Sequence, residues 1–212
     1  MTMLQSPPRE TDHEAGGYVK GVAVAVVTQN KDDEGLCRVK VRFPWHSKPC
    51  TSYWARLASP MAGKQRGFAM VPEIGDEVLV AFEREDLRFP YVLGSLWNGQ
   101  DKPPLKPDNG KNDKRVIHSR NNHYLLFDDG SRGVVELLHQ KGRKLTLSDD
   151  GFVLQDEKGN VVKVDSNNGT MSIEAKGQLT IKAASIKIEA TGMLELKAGA
   201  TLTIRGATVN IN

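Results

Sequence analysis

The sequence predicts an all-β protein in which a small barrel or sandwich is followed by a repetitive β structure. Three observations predict this class. Short valine-rich segments before residue 97 alternate apolar and charged residues at period 2, and the last 42 residues carry evenly spaced aliphatic pairs. No stretch shows the 3.6-residue period of a capped amphipathic helix.

Length and composition exclude several protein classes. The chain has 212 residues, of which 39% are hydrophobic and 26% charged, as expected for an ordered globular protein. Its net charge of +3 does not favour nucleic acid as a partner. The longest apolar run, residues 21–27, is far shorter than the roughly 20 residues of a membrane span. Cys37 and Cys50 form no disulfide framework, so we expect synthesis in the cytoplasm without a signal peptide.

The first region is predicted to contain five or six short strands. Residues 1–17 are polar and proline-containing, so we interpret them as a mobile tail. The segment NKDDEG at 30–35 is predicted to connect two strands as a hairpin. The candidate strands are Tyr18–Thr28, the alternating residues 38–43, Tyr53–Ala58, Gly67–Val71, Glu77–Glu83 and Pro90–Trp97.

A domain boundary is predicted after this region. Residues 98–115 contain three prolines, two glycines and a single large apolar residue, Leu105, as is typical of a linker. We therefore assign residues 18–103 to the barrel, 104–117 to a linker and 118–212 to the repetitive region. Beyond the linker, segments such as Tyr124–Phe127 and Lys144–Leu147 are separated by turn sequences at 128–131, 149–152, 157–160 and 166–169.

The strongest periodic signal is an array of aliphatic pairs that start 8, 7, 8, 8 and 7 residues apart. Charged residues and threonine lie between the members, so one face is dry and the other charged. Most pairs are followed two residues later by Ala or Gly. The pairs are Met171 with Ile173, Leu179 with Ile181, Ile186 with Ile188, Leu194 with Leu196, Leu202 with Ile204, and Val209 with Ile211.

The short repeat favours three chains wound together. One strand and one turn use the whole repeat, whereas a coil of a single-chain β-helix needs on the order of 18 or more residues. Forty-two residues would make about two such coils, with both ends of the core open. We therefore predict an intertwined trimeric β-prism. Its core is predicted to consist of Met171, Ile173, Leu179, Ile181, Ile186, Ile188, Leu194, Leu196, Leu202 and Ile204.

Four segments of the first region resemble the spike proteins of contractile injection systems, namely the phage baseplate assembly protein V and the valine-glycine repeat spike of type VI secretion. These segments are EGLCRVKVRFPWHS at 34–47, SYWARLASPMAG at 52–63, GFAMVPEIGDEVLVAFE at 67–83 and FPYVLGSLWNGQDKPP at 89–104. The resemblance implies an oligonucleotide/oligosaccharide-binding (OB) barrel followed by a trimeric β-helical needle. Extracellular contractile injection particles look like the nearest branch.

The resemblance is not carried over to enzymatic or metal-binding properties. Some relatives insert a lysozyme between barrel and needle, where this chain has only its linker, and others carry His-x-His iron ligands at the tip, whereas no histidine follows His139. Cys37, His46 and Cys50 lack the spacing of a zinc site. The pairs Asp128/Asp129 and Asp149/Asp150 precede glycine and are interpreted as turns. We expect no catalytic residues, no metal and no cofactor.

Two other function classes remain as alternatives. A single-stranded nucleic-acid-binding OB protein would interleave exposed aromatics with basic residues, and Arg38, Lys40 and Arg42 with Phe43 and Trp45 offer a fragment of that pattern. However, Phe43 alternates onto the opposite face. A trimeric tail fibre or receptor-binding protein would share the β-prism repeats but should end in a bulky recognition head.

The sequence therefore predicts a non-enzymatic central spike. The homotrimer would dock on a baseplate hub protein, bind no nucleic acid, and contact a target membrane only when the particle fires. Whether the assembled particle stays with its cell or is released is left open. Because the repeat continues to the last residues, we expect Val209, Ile211 and Asn212 to form an apolar end face, and the resemblance implies that a tip protein of the Pro-Ala-Ala-Arg (PAAR) repeat type covers it.

Overall fold

The computed structural model describes residues 18–46, 51–106 and 110–211, and the chain divides into two compact units, Met1–Lys106 and Pro107–Asn212. The predicted mobile tail 1–17, Cys50 and Asn212 lie outside the described residues. Within the described ranges the regular structure is almost all β, with a single 3-10 turn at Glu83–Glu85. The predicted all-β class is confirmed.

The first unit contains a curled five-stranded sheet of the OB type. Its strand order is β2-β1-β6-β7-β3, and all neighbours are antiparallel except β3 and β7. A separate hairpin is formed by β4 and β5. The strands are β1 Val22–Gln29, β2 Lys40–Arg42, β3 Arg56–Leu57, β4 Ala62–Gly63, β5 Arg66–Gly67, β6 Glu77–Phe82 and β7 Pro90–Ser95.

The alternation of the sequence determines the core of this sheet. Every second residue of β6 is buried, and the same holds for the central part of β1. Phe43 lies in the middle, with its ring centroid 5.6 Å from Phe82 and 5.4 Å from Trp45. The buried residues are Ala25, Val27, Val39, Val41, Phe43, Ala55, Val78, Val80, Phe82 and Val92.

Two loops of the first unit are stabilised by aspartates. In the predicted 30–35 connection, Asp32 accepts two guanidinium N–H groups of Arg38 at 2.8 Å, and this pairing holds the pKa of Asp32 well below its usual range. In the turn before β6, Asp76 accepts the backbone N–H of Glu73 at 2.8 Å. Gly75 has a φ of 100° there, as this tight turn requires.

Two predicted strands of the first unit are shorter than expected. Residues 53–58 form a ladder only at Arg56–Leu57, although Ala55 also bridges Val39. Within the predicted strand Gly67–Val71, only Gly67 belongs to a strand. Its φ is 146°, and the β4–β5 hairpin closes there, where the Phe68 N–H donates to the Met61 carbonyl at 3.0 Å. The pattern of apolar residues does not show at which residue a hydrogen-bonded strand ends.

The second unit contains a seven-stranded antiparallel meander. Each strand has five residues and pairs with its sequence neighbours, so the spatial order equals the sequence order. The strands are β8 Lys114–His118, β9 Tyr124–Asp128, β10 Val134–Leu138, β11 Lys144–Ser148, β12 Gly151–Gln155, β13 Val161–Asp165 and β14 Thr170–Glu174.

Each of the six connections in the meander contains or adjoins one residue with positive φ. A left-handed residue helps to reverse the chain within a few positions. Gly151 is the most restricted, because a Cβ atom there would lie 2.1 Å from the backbone oxygen of Val164. The six residues are Asn122, Gly133, Gly142, Gly151, Gly159 and Gly169.

The predicted linker 104–117 differs from the structure at its C-terminal end. β8 begins at Lys114, inside that range. Its first two residues are charged, which is why the sequence favours a loop there. In the sheet, Lys114 lies 3.5 Å from Asp128 and Arg115 pairs with Asp129, so these charges are compensated by the neighbouring strand.

The predicted needle pairs beyond β14 belong to no strand or bridge within this chain. Residues 175–211 contain bends but no helix, strand or bridge, and every residue in this range is exposed. None of them has positive φ. Ile181 and Ile204, which were expected in a buried core, are therefore exposed in the single chain, because no strand of the same chain packs beside them.

Candidate functional site

The register of the meander aligns apolar side chains into two continuous rows on one face. Residues two positions apart in a strand share a face, so the two rows lie side by side. The inner row is Ile117, Leu125, Leu137, Leu145, Leu154, Val162 and Ile173, and the second row is Arg115, Phe127, Val135, Leu147, Phe152, Val164 and Met171. We call this surface the apolar face.

Much of the apolar face is open to solvent in a single chain. Leu137 exposes 55% of its surface, Leu154 51% and Met171 64%. Thirteen of its fourteen side chains are apolar, and Arg115 at the first strand is the exception. Soluble monomers rarely expose a contiguous apolar surface of this extent. The arrangement is that of an interface.

The opposite face of the meander mixes polar and apolar side chains and contains a network of hydrogen bonds and an ion pair. Its centre is Glu136 on β10, whose side chain is 13% exposed. The carboxylate accepts hydrogen bonds from the Tyr124 hydroxyl and from Thr146 Oγ1 at 3.1 Å, and Lys144 Nζ lies 3.1 Å away. This network joins β9, β10 and β11 within one chain, so it stabilises the centre of the sheet.

Two pKa shifts follow from this network. Burial by itself would raise the pKa of Glu136, but the donors Tyr124, Lys144 and Thr146 lower it overall. The same hydrogen bond to the Glu136 carboxylate raises the pKa of Tyr124 to about 12, because it stabilises the protonated phenol. At neutral pH the Tyr124 hydroxyl is therefore the neutral donor of this hydrogen bond, and the Glu136 carboxylate is its charged acceptor.

The predicted trimer-core residues fall into two groups. Met171 and Ile173 lie on β14 and end the two rows of the apolar face. The other eight lie in the unpaired segment 175–211, and the single chain leaves half or more of each of them exposed. These eight residues are Leu179, Ile181, Ile186, Ile188, Leu194, Leu196, Leu202 and Ile204.

The predicted burial of these eight side chains involves three chains and is not tested by one chain. In the single chain Ile181 exposes 67% of its surface and Ile204 61%. The physical reason is that residues 175–211 pair with no strand of their own chain, so no neighbouring side chains cover either isoleucine. Any core built from these residues needs further chains, and their place in a trimer core stays a prediction.

The predicted tip residues are also open to solvent where they are described. Ile211 is 89% exposed and Val209 is about half exposed. Asn212 is not among the described residues. The two described residues therefore leave apolar surface free for a partner.

Sequence reasoning missed the upstream half of this surface. The pairs on β9 to β13 have the same form as those recognised after residue 170, but they start 10, 10, 7 and 10 residues apart and the irregular spacing hides them. The signal that could have found them is the turn sequence between successive pairs. These pairs are Leu125/Phe127, Val135/Leu137, Leu145/Leu147, Phe152/Leu154 and Val162/Val164.

Histidines lie at one end of the strands in the meander. The rings of His123 and His139 are 4.5 Å apart, and Nδ1 of each accepts a backbone N–H, from Gln140 at 3.3 Å and from Lys141 at 3.2 Å. Burial lowers the pKa of His139, and the charge of His123 lowers it further. The described ranges contain no group of three or more His, Cys, Asp or Glu residues arranged to hold a metal ion.

The aromatic and basic residues of β2 are engaged within the first unit. Phe43 is buried in the core. Trp54 lies under two cations, with Lys40 Nζ 4.9 Å and the Arg38 guanidinium carbon 5.7 Å from its ring centroid. The exposed apolar side chains of this unit lie elsewhere, and Met61, Phe68 and Met70 beside the β4–β5 hairpin are among them.

Comparison with known proteins identifies the first unit. Residues 23–97 match the type VI secretion system/phage-baseplate injector OB domain. The first unit therefore contains a domain of the spike family of contractile injection systems. The family predicted from the sequence and its OB barrel are thereby confirmed.

Three curated relatives illustrate the similarity. The chain is 27% identical over 192 residues to the actin cross-linking toxin VgrG1 of Vibrio cholerae, an alignment that covers 82% of this chain and 17% of that protein. It is 31% identical over 134 residues to the type VI secretion system spike protein VgrG3 of Vibrio cholerae, covering 57% and 13%. It is 34% identical over 96 residues to the spike protein VgrG1a of Pseudomonas aeruginosa, covering 42% and 15%.

The aligned part of this chain thus corresponds to between 13% and 17% of the length of these relatives. The longest alignment extends well beyond the OB domain and therefore includes part of the second unit. Across the described ranges, no helix has the length and apolar character needed to cross a bilayer.

Proposed function

We propose that this protein is the central spike of a contractile injection machine and that it acts as a homotrimer. The apolar face supports this proposal, because two rows of aliphatic and aromatic side chains run across seven strands while solvent reaches half of many of them. Three copies of the meander, with their apolar faces turned towards a common axis, would remove these rows from water.

The same assembly would satisfy the backbone of residues 175–211. An extended segment without ladder partners leaves N–H and C=O groups that a β-prism must pair. In the proposed needle these groups pair with the other two chains. The aliphatic residues from Leu179 and Ile181 to Leu202 and Ile204 would then continue the axial core, and the small residues that follow the pairs fit the crowded corners.

The proposed mechanism is mechanical and non-enzymatic. The OB barrels would dock on the baseplate hub, and the exposed residues Met61, Phe68 and Met70 are the candidate contacts. The stiff needle would transmit the force of sheath contraction to the target envelope, and it would contact a membrane only during firing. We expect no cofactor, and Val209, Ile211 and Asn212 are proposed to bind a PAAR-type tip protein by strand addition.

The molecular mass of the purified chain tests the trimer. Light scattering is expected to give three times the chain mass of 23.3 kDa at any practical concentration. The trimer is also expected to resist detergent, because dissociation would expose both rows of each copy. A monomeric mass with a retained β-sheet signal would contradict the proposal.

Co-purification experiments test the two proposed contacts separately. Deletion of residues 207–212 is expected to abolish capture of the tip protein and to leave hub binding intact. Conversely, Phe68→Ser combined with Met70→Ser is expected to weaken hub binding only, with Lys64→Ser as the matched control in the same hairpin. Unchanged capture of the tip protein by the truncated chain would place that partner elsewhere.

Activity assays test the non-enzymatic assignment. We expect no clearing of a peptidoglycan suspension and no salt-dependent binding of single-stranded DNA by the pure protein. Clearing would indicate a hydrolase. Submicromolar DNA binding that weakens with salt would indicate the OB protein of the nucleic-acid class.

A further inference from the structure

The two ends of the meander strands carry opposite charge. In an antiparallel meander the connections alternate between two edges, so each edge collects every second connection. We define the acidic edge as residues 110–114, 128–134, 148–151 and 165–170, and the basic edge as residues 118–124, 138–144, 155–161 and 174–176. The sheet register places each set at one side of the apolar face.

The two edges carry formal net charges of equal size and opposite sign. The acidic edge has six aspartates against three Lys or Arg residues, a formal net charge of −3. The basic edge has six Lys or Arg residues against three acids, a formal net charge of +3, and it also carries His118, His123 and His139. The meander is therefore polarised across its width.

Ion pairs within one copy do not remove this polarisation. Lys114 and Asp128 pair on the acidic edge, and Arg143 donates to Glu157 at 2.9 Å on the basic edge. Each of these two pairs joins one cation and one anion of the same edge and leaves its surplus unchanged. Strand residues outside the edges offset part of it: Arg115 pairs with Asp129 and Lys163 with Asp165, which lowers the acidic surplus from three to one, and Glu136 pairs with Lys144, which lowers the basic surplus from three to two. The two edges therefore still differ in sign.

We propose that the acidic edge of one copy binds the basic edge of the next copy at each corner of the trimer, an inference that rests on the proposed spike function. Once the apolar faces turn towards the axis, the strand ends of neighbouring copies come together at the corners. Three copies that point the same way along the axis bring unlike edges together at all three corners.

The polarisation also selects against the wrong arrangement. A copy inserted upside down, with its apolar face still inward, would exchange its left and right edges. It would then place its acidic edge against an acidic edge and its basic edge against a basic one. Like charges in contact disfavour that assembly. The edge charges therefore specify the direction in which each copy points along the axis, which the apolar face alone does not specify.

Charge reversal of one edge at a time tests this inference in the full chain. Asp113→Lys with Asp149→Lys changes the acidic edge to a net charge of +1, and Lys141→Glu with Lys158→Glu changes the basic edge to −1. A swap variant carries all four substitutions. Lys31→Glu with Lys64→Glu in the first unit matches the −4 change in net charge of the basic-edge variant and serves as its control, and Asp33→Lys with Glu85→Lys matches the +4 change of the acidic-edge variant.

The measurement is the rate of trimer dissociation in urea at low ionic strength. Each single-edge variant is expected to dissociate at least about tenfold faster than its control, because each substitution recurs at three corners and an exposed ion pair changes an equilibrium by about two- to fivefold. The swap variant is expected to recover most of this loss. The differences are expected to shrink in 1 M salt, where charges are screened within about 3 Å.

The outcomes separate this inference from the proposed function. A trimeric wild type whose single-edge variants dissociate at the rates of their controls would overturn the edge contact and leave the trimer in place. A swap variant no more stable than the single-edge variants would also overturn it, since unlike edges would meet again. A monomeric wild type would overturn both.

Discussion

Residues 114–174 and residues 175–211 carry the same apolar pattern, yet only the first segment pairs with itself. In the first segment each pair lies on a strand of the meander, and both of its neighbours come from the same chain except at the ends. In the second segment the pairs continue, but no strand or bridge of this chain includes them. The alternation of apolar residues is therefore not what separates the two segments.

The two segments differ in whether the chain reverses between successive apolar pairs. All six connections of the meander have a left-handed residue in or next to the turn, whereas none of the described residues of 175–211 has positive φ. The segment 175–211 also contains glycine, at positions 177, 192, 199 and 206, but these residues keep negative φ. A left-handed residue reverses the chain within a few positions. The backbone conformation at the corners, and not the presence of glycine, therefore separates the segment that pairs with itself from the segment that does not.

The largest effect is expected from substitutions in residues 175–211, the segment whose proposed core needs other chains. Ile188→Asp or Leu196→Asp would place three carboxylates in one axial layer of the proposed trimer, where unpaired buried charge costs several kcal/mol per group. We expect loss of the soluble trimer by light scattering. Lys187→Asp, one position away on the alternating face, is the matched control and should remain trimeric.

A smaller effect is expected from a turn of the meander. Gly151→Ala would place a Cβ atom 2.1 Å from the Val164 oxygen at a φ of 130°, so the β11–β12 turn must shift. We expect a loss of about 3 kcal/mol or more in the free energy of unfolding, read from urea denaturation. Gly177→Ala meets no atom within 4 Å and should change stability by less than about 0.5 kcal/mol. Equal effects would show that the turn does not control the meander.

A third prediction concerns the hydrogen-bond network around Glu136 on the meander. The pKa of Glu136 is lowered in the folded state, so the stability it contributes is present above the unfolded-state pKa and is lost as pH falls through the folded-state pKa. Glu136→Gln is expected to cost about 1–3 kcal/mol at pH 7 and to flatten the loss of stability that the wild type shows as pH falls below the unfolded-state pKa of glutamate. A loss of stability with falling pH identical to that of the wild type would exclude this network as its cause.

The smallest effect is expected at an exposed pair on the edge of the meander. Arg143 and Glu157 join the β10–β11 and β12–β13 connections at 2.9 Å, but the arginine side chain is more than half exposed. Arg143→Ala is expected to change the stability of the meander within one chain by no more than about 0.5 kcal/mol. A loss above about 2 kcal/mol in the free energy of unfolding would show that the Arg143–Glu157 pair is important for the folding of a single chain, contrary to this prediction.

Much of the fold could be predicted because the patterns are local. The alternation in residues 77–83 predicts the buried face of β6, and the pairs from Met171 and Ile173 onward predict a two-faced array. The family followed from motifs of the OB barrel, which the comparison confirms. The β8 strand was missed because its compensating charges, Asp128 and Asp129, lie more than ten residues away in sequence.

Strand pairing of the repeat residues could not be predicted from the same local pattern. Ile173 and Ile181 occupy equivalent positions of the aliphatic pairs and are both more than half exposed, yet Ile173 lies on a paired strand and Ile181 does not. Ile204 repeats the situation of Ile181, with 61% of its surface exposed. Alternation selects the apolar side of a segment, but pairing depends on which strand lies beside it.

Local sequence patterns establish which residues alternate and where glycine or asparagine permits the chain to reverse. These properties depend on a residue and its nearest neighbours, through steric limits on φ and the two-residue period of a strand. The tertiary structure was needed to show that six separate apolar pairs and Ile117 align into one apolar face, and that unlike charges collect at opposite edges. Alignment depends on strand register, which is fixed by hydrogen bonds between residues distant in sequence.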